Sequence, residues 1–302
     1  MLFRSDGRIK AIWIMATNPA VSLPDSGVVR EALARCPFVV VSDCVETDTT
    51  AFADVKLPAL AWGEKDGTVT NSERRISRQR ALFAAPGQAR ADWAIIAGVA
   101  QRLGHGDAFA WDRNAALFRE YAAMTALAPR HGKVLDLSAL SDLTDGEYEA
   151  MAPFQWGGRF PLSTPPRLVP VVPGGRASDP VFPLWLNTGR YRDQWHTMTR
   201  TGLSPTLAQH RREPLVEVHP DDARAAGLAE GGLARIASAH GAATFRVGVT
   251  DAQRRGEVFV PMHWTDAMAG DARANRLAGS FVDPVSGQPG FKKSAVRIEA
   301  VT

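Results

Sequence analysis

Residues 187–202 read NTGRYRDQWHTMTRTG and directly follow a short apolar run, Phe182 to Leu186. The apolar run predicts a buried strand. Gly189 lacks a side chain, so the backbone there can approach an anion closely. Arg190, with the arginines at 192 and 200, supplies forked donors that match phosphate oxygens. The segment predicts a phosphate-binding loop at a strand end, although a Thr-Gly-Arg turn alone is also compatible with a basic surface loop.

Length and charge limit the classes of protein to consider. With 302 residues, of which 45% are hydrophobic, the chain is long enough for two cores, since single cores stop growing at about 250 residues. Thirty-five Lys and Arg against thirty-two Asp and Glu give a formal charge of only +3, so we expect no nucleic-acid partner. No apolar run approaches the roughly 20 residues of a membrane span, and we expect none.

The chain begins almost directly with the predicted strand Ile9–Met15, so we expect a partial sequence, and a cytoplasmic location is a further expectation. Met1 to Gly7 contain no charged leader followed by an apolar core, so we expect no signal peptide. Cys36 and Cys44 are the two cysteines, and they form neither a disulfide framework nor a metal-ligand pattern. An all-cysteine iron–sulfur cluster needs four, so this chain alone is not expected to hold one.

The first half alternates strand and helix patterns. Predicted strands are Ile9–Met15, Phe38–Val41 and Val55–Pro58; predicted helices run from Asp25 or Ser26 to Pro37, over Trp93–Leu103 after a cap at Asp92, and over Asn114–Ala126. This rhythm predicts a doubly wound α/β sheet, whose ligands lie beyond the carboxyl ends of its strands.

A proline-rich segment separates the two halves. We predict an α/β domain over residues 1–151, a linker over 152–180 and a second domain over 181–302. In the second domain short β-patterned runs surround one helix that begins at Pro220, which predicts a small closed barrel.

Polar residues follow the first two strands. Asn18 comes after the first strand, and Ser42 and Asp43 end the second, so parallel strands would place all three at one sheet edge. The Asp43 carboxylate can accept two parallel hydrogen bonds, as the adjacent N–H donors of guanine require, and Asp92 is a second candidate. Either aspartate could instead cap a turn or helix, and position does not decide between these roles.

Two further segments remain ambiguous from their residues alone. Residues 64–75 contain Glu64-Lys65-Asp66-Gly67 and Asn71-Ser72-Glu73-Arg74-Arg75, and they form either a functional loop or a solvated one. The strand end Val260-Pro261-Met262-His263-Trp264 is compatible with core and rim as well as with a site.

In combination, these motifs resemble the molybdopterin oxidoreductases. The run DQWHTMTRTG resembles the assimilatory nitrate reductase branch, and W-x-E-K-x-G with N-x-E-R-R resembles the third domain of the family. The resemblance runs from Trp13 to Val296. It implies a Rossmann-like domain followed by a double-psi, aspartate-decarboxylase-like β-barrel that binds the pterin dinucleotide.

The resemblance also implies roles for individual residues. Dinucleotide contacts fall on Asn18, Ser42, Asp43, Lys65 and Asp92; the pterin and phosphate loop is residues 188–197, including Thr188, Gly189, Arg190, Trp195, His196 and Thr197; terminal cofactor contacts are Asn275 and Lys292; and Met262 and His263 face the substrate funnel. No protein ligand to the metal is implied within this chain.

The implied function is that of the C-terminal half of an assimilatory-type nitrate reductase catalytic subunit. It would grip molybdenum bis-(molybdopterin guanine dinucleotide), with nitrate as substrate and an electron donor that the sequence does not identify. A 4Fe-4S cluster and the remaining cofactor contacts are expected only in the N-terminal domains of the same subunit. Formate oxidation by a related enzyme and a non-catalytic structural relative are the alternatives.

Overall fold

A parallel strand pair comes first in the described part of the chain. The computed structural model describes residues 7–157, 168, 170, 179–284 and 286–301. Its first elements are β1 (Ile12–Met15), α1 (Pro19–Ser22), α2 (Ser26–Arg35), β2 (Val39–Asp43) and β3 (Val55–Pro58). Strands β1 and β2 run parallel with Met15 opposite Ser42, and β3 completes a three-stranded sheet in the order β1-β2-β3. The predicted parallel pairing of the first two strands is therefore confirmed.

The next segment is a small α+β arrangement. It contains β4 (Gly67–Thr70), β5 (Arg75–Gln79), α3 (Asp92–Arg102), α4 (Asn114–Thr125), α5 (Asp145–Ala150) and β6 (Phe154–Gln155). The three strands form an antiparallel sheet in the order β4-β5-β6. Part of the polar segment predicted as a loop is thus a hairpin, because Gly67 to Gln79 contribute two paired strands. A doubly wound, Rossmann-like sheet stays a prediction.

The C-terminal part is a closed six-stranded barrel, as predicted. Its elements are β7 (Leu184–Gly189), β8 (Leu215–Val218), α6 (Pro220–Ala225), β9 (Leu233–Ala237), β10 (Ala242–Val249), β11 (Glu257–Pro261), α7 (Asp266–Ala269) and β12 (Ser294–Ala300). The strand order is β10-β8-β11-β7-β12-β9, closed by β9 against β10. Pairs β8/β10 and β7/β11 are parallel, whereas the others are antiparallel. The double-psi assignment stays a prediction.

Alternation of apolar side chains explains the barrel. Successive residues of a strand point to opposite faces, so every second side chain enters the interior. Val216, Val218, Ile236, Phe245 and Val258 are each at most 1% exposed and share one core cluster. The barrel places the ends of β7 and β11 next to each other, since Gly189 lies opposite Pro261.

The chain forms two compact units that differ from the predicted domains. One unit comprises residues 1–56 and 173–302, and the other comprises residues 57–172. The boundary falls within β3, so the first 56 residues belong with the barrel. The division into 1–151 and 181–302 stays a prediction. Most of the predicted linker lies outside the described residues, but its beginning contains β6.

Candidate functional site

The edge at the carboxyl ends of β1 and β2 carries three predicted site residues. Ser42 is fully buried, and its hydroxyl accepts a hydrogen bond from Trp13 Nε1 at 2.9 Å. Asn18 Oδ1 accepts from the backbone and hydroxyl of Thr49 at 3.2 and 2.7 Å. The Asn18 Nδ2 amide is buried without a hydrogen-bond partner. Asp43 is half-buried, and its Oδ1 accepts from Cys44 N at 2.7 Å. The parallel register, with Met15 opposite Ser42, thus places Asn18, Ser42 and Asp43 at one edge of the sheet, and their roles as cofactor contacts stay predictions.

Space explains the glycine that ends β7. A Cβ atom on Gly189 would lie 2.6 Å from Cε2 of Phe259, which is closer than real Cβ contacts. Gly189 O accepts a hydrogen bond from Met262 N at 3.0 Å, so its backbone is fixed against the end of β11. Packing against the Phe259 ring, which belongs to the cluster with Tyr191 and Trp264 rather than to the barrel core, therefore favours glycine here, in addition to any role in approaching a ligand.

The loop after β7 gathers cations over an indole. The Cζ atoms of Arg190 and Arg200 lie 4.9 and 5.6 Å from the ring centre of Trp195, within the range of cation–π attraction. We call these three residues the Arg–Trp–Arg cluster. Trp195 is 45% exposed, so the cluster faces solvent. Partial burial, and then the charges of Arg190 and Arg200, lower the pKa of the neighbouring His196.

Thr188 and Lys292 meet although 104 residues separate them. The Lys292 ammonium donates to Thr188 O, and the Thr188 hydroxyl donates to Phe291 O at 3.0 Å. Antiparallel pairing of β7 with β12 explains the approach, because the residues that lead into β12 run alongside the end of β7. Lys292 therefore places a positive charge beside the end of β7, and its role in neutralising a phosphate stays a prediction.

His263 is fully buried in the protein, with 0% of it exposed. This burial does not support the predicted position of its side chain in a substrate funnel. Its Nε2 accepts from Tyr191 N at 3.0 Å, and its Nδ1 lies 2.7 Å from His196 O. Both ring nitrogens are thus occupied by the loop after β7. Met262, which is partly exposed, can still line such a path.

The loop after β7 also contains two buried polar side chains. Thr197 is 9% exposed. Gln194, which the sequence analysis did not single out, is 4% exposed. Its Oε1 accepts a hydrogen bond from the Thr201 hydroxyl, while its Nε2 has no hydrogen-bond partner.

The Asn275 Nδ2 donates to Val21 O and Ser22 O at 3.0 and 2.9 Å. Asn275 therefore ties the barrel to helix α1, and its role as a cofactor contact stays a prediction.

Lys65 and Asp92 form a second, separate feature in the unit of residues 57–172. Lys65 Nζ lies 2.5 Å from Asp92 Oδ2, with both side chains about one-third exposed. Asp92 is the first residue of α3 and makes no cap hydrogen bond, so the sequence-based assignment of a helix cap there is wrong. The ion pair lines a cavity of about 490 Å³ with Trp93, Tyr148 and others. The buried Trp93 Nε1 in its wall has no hydrogen-bond partner.

The described residues contain neither a membrane-crossing helix nor a cluster of metal-ligand side chains. None of the helices in the described ranges combines the length and apolarity needed to cross a bilayer. Over the same ranges, no group of three or more His, Cys, Asp or Glu side chains could hold a metal ion.

Family models place the chain in a class. Residues 3–102 match the model "Molybdopterin oxidoreductase", and residues 184–295 match "Molydopterin dinucleotide binding domain". The second match contains the loop after β7 and the barrel strands from β7 to β11, and it ends at the start of β12. The chain belongs to the molybdopterin oxidoreductase family, and the family resemblance of its motifs is confirmed.

Individual relatives narrow the comparison. The nitrate reductase of Klebsiella oxytoca is 50% identical over 97% of this chain and 35% of its own length. The assimilatory nitrate reductase catalytic subunit of Bacillus subtilis (strain 168) is 33% identical over 97% of this chain and 42% of its own length. The F420-dependent formate dehydrogenase subunit alpha of Methanocaldococcus jannaschii is 32% identical over 100% of this chain and 45% of its own length. The chain thus spans less than half the length of these relatives.

A solved structure supports the fold. Acetylene hydratase from Pelobacter acetylenicus aligns with a TM-score of 0.76 and 18% sequence identity, covering 97% of this chain and 44% of that one. At this identity the likeness concerns the fold alone.

Proposed function

We propose that this chain is the C-terminal half of a molybdenum-dependent nitrate reductase of assimilatory type, and that it grips molybdenum bis-(molybdopterin guanine dinucleotide). The parent reaction would be nitrate plus two electrons and two protons giving nitrite and water. The observation that carries the proposal is the Arg–Trp–Arg cluster at the end of β7, in a chain half identical to a nitrate reductase.

The residues present fit an anionic, hydrogen-bonding cofactor. Asn18 Nδ2 and Gln194 Nε2 are buried donors without partners, a state that costs free energy unless an acceptor arrives. Arg190, Arg200 and Lys292 supply positive charge, and Arg in particular can present paired donors to a pyrophosphate. These features support a ligand that is rich in phosphate and carbonyl oxygens.

The remaining predicted contacts have defined tasks in this proposal. Asp43 and Asp92 are the candidates for accepting the two adjacent N–H donors of guanine. The cavity beside Asp92 supports a base-binding role, since Trp93 and Tyr148 provide aromatic walls and the Trp93 N–H lacks an acceptor. Lys65 would balance phosphate charge nearby. Thr188, Trp195, His196, Thr197 and Asn275 would line the pterin and phosphate path.

The protein's part in the chemistry is to bind, orient and control access. The cofactor, when bound, supplies the two-electron oxygen-atom transfer. Met262 is the candidate for lining the approach of nitrate. A 4Fe-4S cluster, the remaining N-terminal domains of the subunit and a cytoplasmic location belong to the same proposal, and the electron donor is open.

The test uses the longer protein that contains this chain. We expect the purified protein to contain molybdenum and guanine nucleotide and to form nitrite with reduced viologen as donor. Absence of both molybdenum and guanine nucleotide after expression in molybdate-replete cells would favour a non-catalytic structural relative.

Formate oxidation is the competing activity, because a formate dehydrogenase subunit matches the chain over its whole length. The same preparation should be assayed for viologen reduction by formate. A molybdenum-loaded protein that oxidises formate and leaves nitrate unchanged would replace the proposed reaction with this one.

A further inference from the structure

His263 holds the loop after β7 at two points. The backbone N–H of Tyr191 donates to Nε2 at 3.0 Å, so that nitrogen must be an acceptor. The backbone carbonyl of His196 lies 2.7 Å from Nδ1, so that nitrogen must carry the proton. The two contacts fix the imidazole as the neutral Nδ1–H tautomer. A single buried ring thereby bridges two loop residues that are five positions apart.

The two bridged residues are the immediate neighbours of the stacked pair. Arg190 precedes Tyr191, and Trp195 precedes His196, so fixing Tyr191 N and His196 O also limits where Arg190 and Trp195 can lie. Their side chains are 4.9 Å apart, measured from Cζ to the ring centre. The spacing needed for this contact is thus set by a buried ring that follows the end of β11.

The loop backbone needs such support. His196 and Met198 have φ angles of 42° and 62°, in the left-handed region that side-chain-bearing residues adopt at a cost. Strained residues persist when their surroundings hold them. The contact from His263 to His196 O and the burial of Met198 with Tyr191 and Trp264 provide that hold.

We propose that His263 is a positioning residue, which fixes Arg190 and Trp195 for ligand binding and does so only as the neutral Nδ1–H tautomer. The inference rests on the proposed function for the identity of the ligand as a phosphate, but the bridging itself does not. It assigns His263 a role other than contact with substrate.

The surroundings of His263 oppose its protonation. Burial lowers its pKa, against the effect of the contact with His196 O, and the positive charges of Arg190 and His196 lower it further. A proton on Nε2 would also face the Tyr191 N–H, so that two donors would meet. Because the folded pKa is depressed, this contribution to stability is complete above the unfolded value of about 6.5 and is lost as the pH falls from there through the folded pKa.

The experiment measures hydrogen exchange of the Tyr191 amide in the 302-residue chain and the affinity of inorganic pyrophosphate by calorimetry. His263→Phe removes both contacts, and we expect roughly tenfold faster exchange at Tyr191 and roughly tenfold weaker pyrophosphate binding. His263→Gln offers an acceptor to Tyr191, so it should recover part of the amide protection. In wild type, protection should fall below about pH 6.5 after correction for intrinsic exchange, and this fall should vanish in His263→Gln.

A matched control distinguishes the proposed role from general destabilisation. His219 in the same barrel also accepts a backbone N–H, from Asp221 at 3.1 Å, at the start of α6. His219→Gln should leave both readouts unchanged, and protection of the β10 amides should persist in all variants. If β10 protection is kept and Tyr191 exchanges as slowly in His263→Phe as in wild type, the proposal is overturned. If wild type does not bind pyrophosphate but the exchange results hold, the phosphate assignment fails and the bridging role stands.

Discussion

At the end of β7, limited space favours glycine at position 189, whereas charge favours arginine at position 190. A Cβ atom at Gly189 would lie 2.6 Å from the ring of Phe259, so a larger residue would require that ring to move. Arg190 is exposed and has no such steric constraint, yet its guanidinium lies over Trp195 rather than in solvent alone. A planar guanidinium can stack on an indole and still present its edge donors to an oxyanion. The two adjacent residues therefore perform different tasks.

This geometry predicts the effect of changing Arg190. Lysine keeps the charge but loses the paired donors and the stacking, so Arg190→Lys should retain more cofactor than Arg190→Ala and less than wild type. The measurement is molybdenum per purified subunit of the longer protein. Arg224→Ala in α6 is the control outside this loop, because Arg224 is exposed and its Nη1 pairs with Asp221 at 3.0 Å. If Arg190 contacted no ligand, its replacement by alanine would change the free energy of unfolding by at most about 0.5 kcal/mol. Equal molybdenum occupancy in wild type and Arg190→Ala would show that Arg190 has no role in cofactor binding.

A second residue-scale prediction concerns recognition of guanine. Asparagine keeps the shape of aspartate but cannot accept two parallel hydrogen bonds with a negative charge. Removal of a charged partner from buried donors should cost about 1.5–3 kcal/mol, so Asp43→Asn or Asp92→Asn should lower guanine-dinucleotide content. The exposed Asp107 provides the control substitution Asp107→Asn. Full guanine-dinucleotide content in both test variants would show that neither Asp43 nor Asp92 recognises guanine.

At the scale of elements, α2 and the barrel are joined by an ionic cluster. Arg30 of α2 pairs with Asp48 at 3.3 Å and with Asp266 of α7 at 3.5 Å. Arg273, 2% exposed, pairs with Asp266, and its Nε donates to the Ser26 hydroxyl at 3.0 Å. The N–H of Asp266 donates to Asp48 at 3.2 Å. These contacts hold the sheet edge with Asn18 in the same compact unit as the barrel.

Burial makes this cluster sensitive to loss of one partner. Arg273→Met would remove a buried cation that bonds to Asp266 and Ser26 and leave Asp266 with Arg30, and we expect destabilisation of about 1.5–3 kcal/mol. Arg235→Met is the matched control, since Arg235 pairs with Glu299 on the barrel surface with both side chains about half exposed. That exposed pair should contribute less than about 1 kcal/mol. Urea unfolding of the chain measures both, and equal losses would contradict the argument.

Across the whole molecule, sequence patterns predicted local structure better than long-range contacts. The barrel strands and the parallel β1/β2 pair were predictable because alternation and β-branched runs are local signals. Asn275 and His263 show the limit, because their hydrogen bonds to backbone atoms 254 and 67 residues away have no signal in the local sequence. Gln194 lay inside the predicted loop, and a buried amide without a partner becomes visible only in three dimensions. Grouping of the first 56 residues with the barrel likewise depends on such distant contacts.

The extent of the whole chain leads to a further prediction, that the 302-residue chain alone does not reduce nitrate. The chain spans 35% of the Klebsiella oxytoca relative, and its two cysteines cannot supply the four that an all-cysteine iron–sulfur cluster needs. Electrons from reduced viologen would have no cluster within this chain to accept them, and the second half of the dinucleotide contacts would be missing. Nitrite formation should therefore be absent from the chain and present in the longer protein assayed in parallel. Turnover by the purified, metal-loaded chain would show that these two units are sufficient for the reaction.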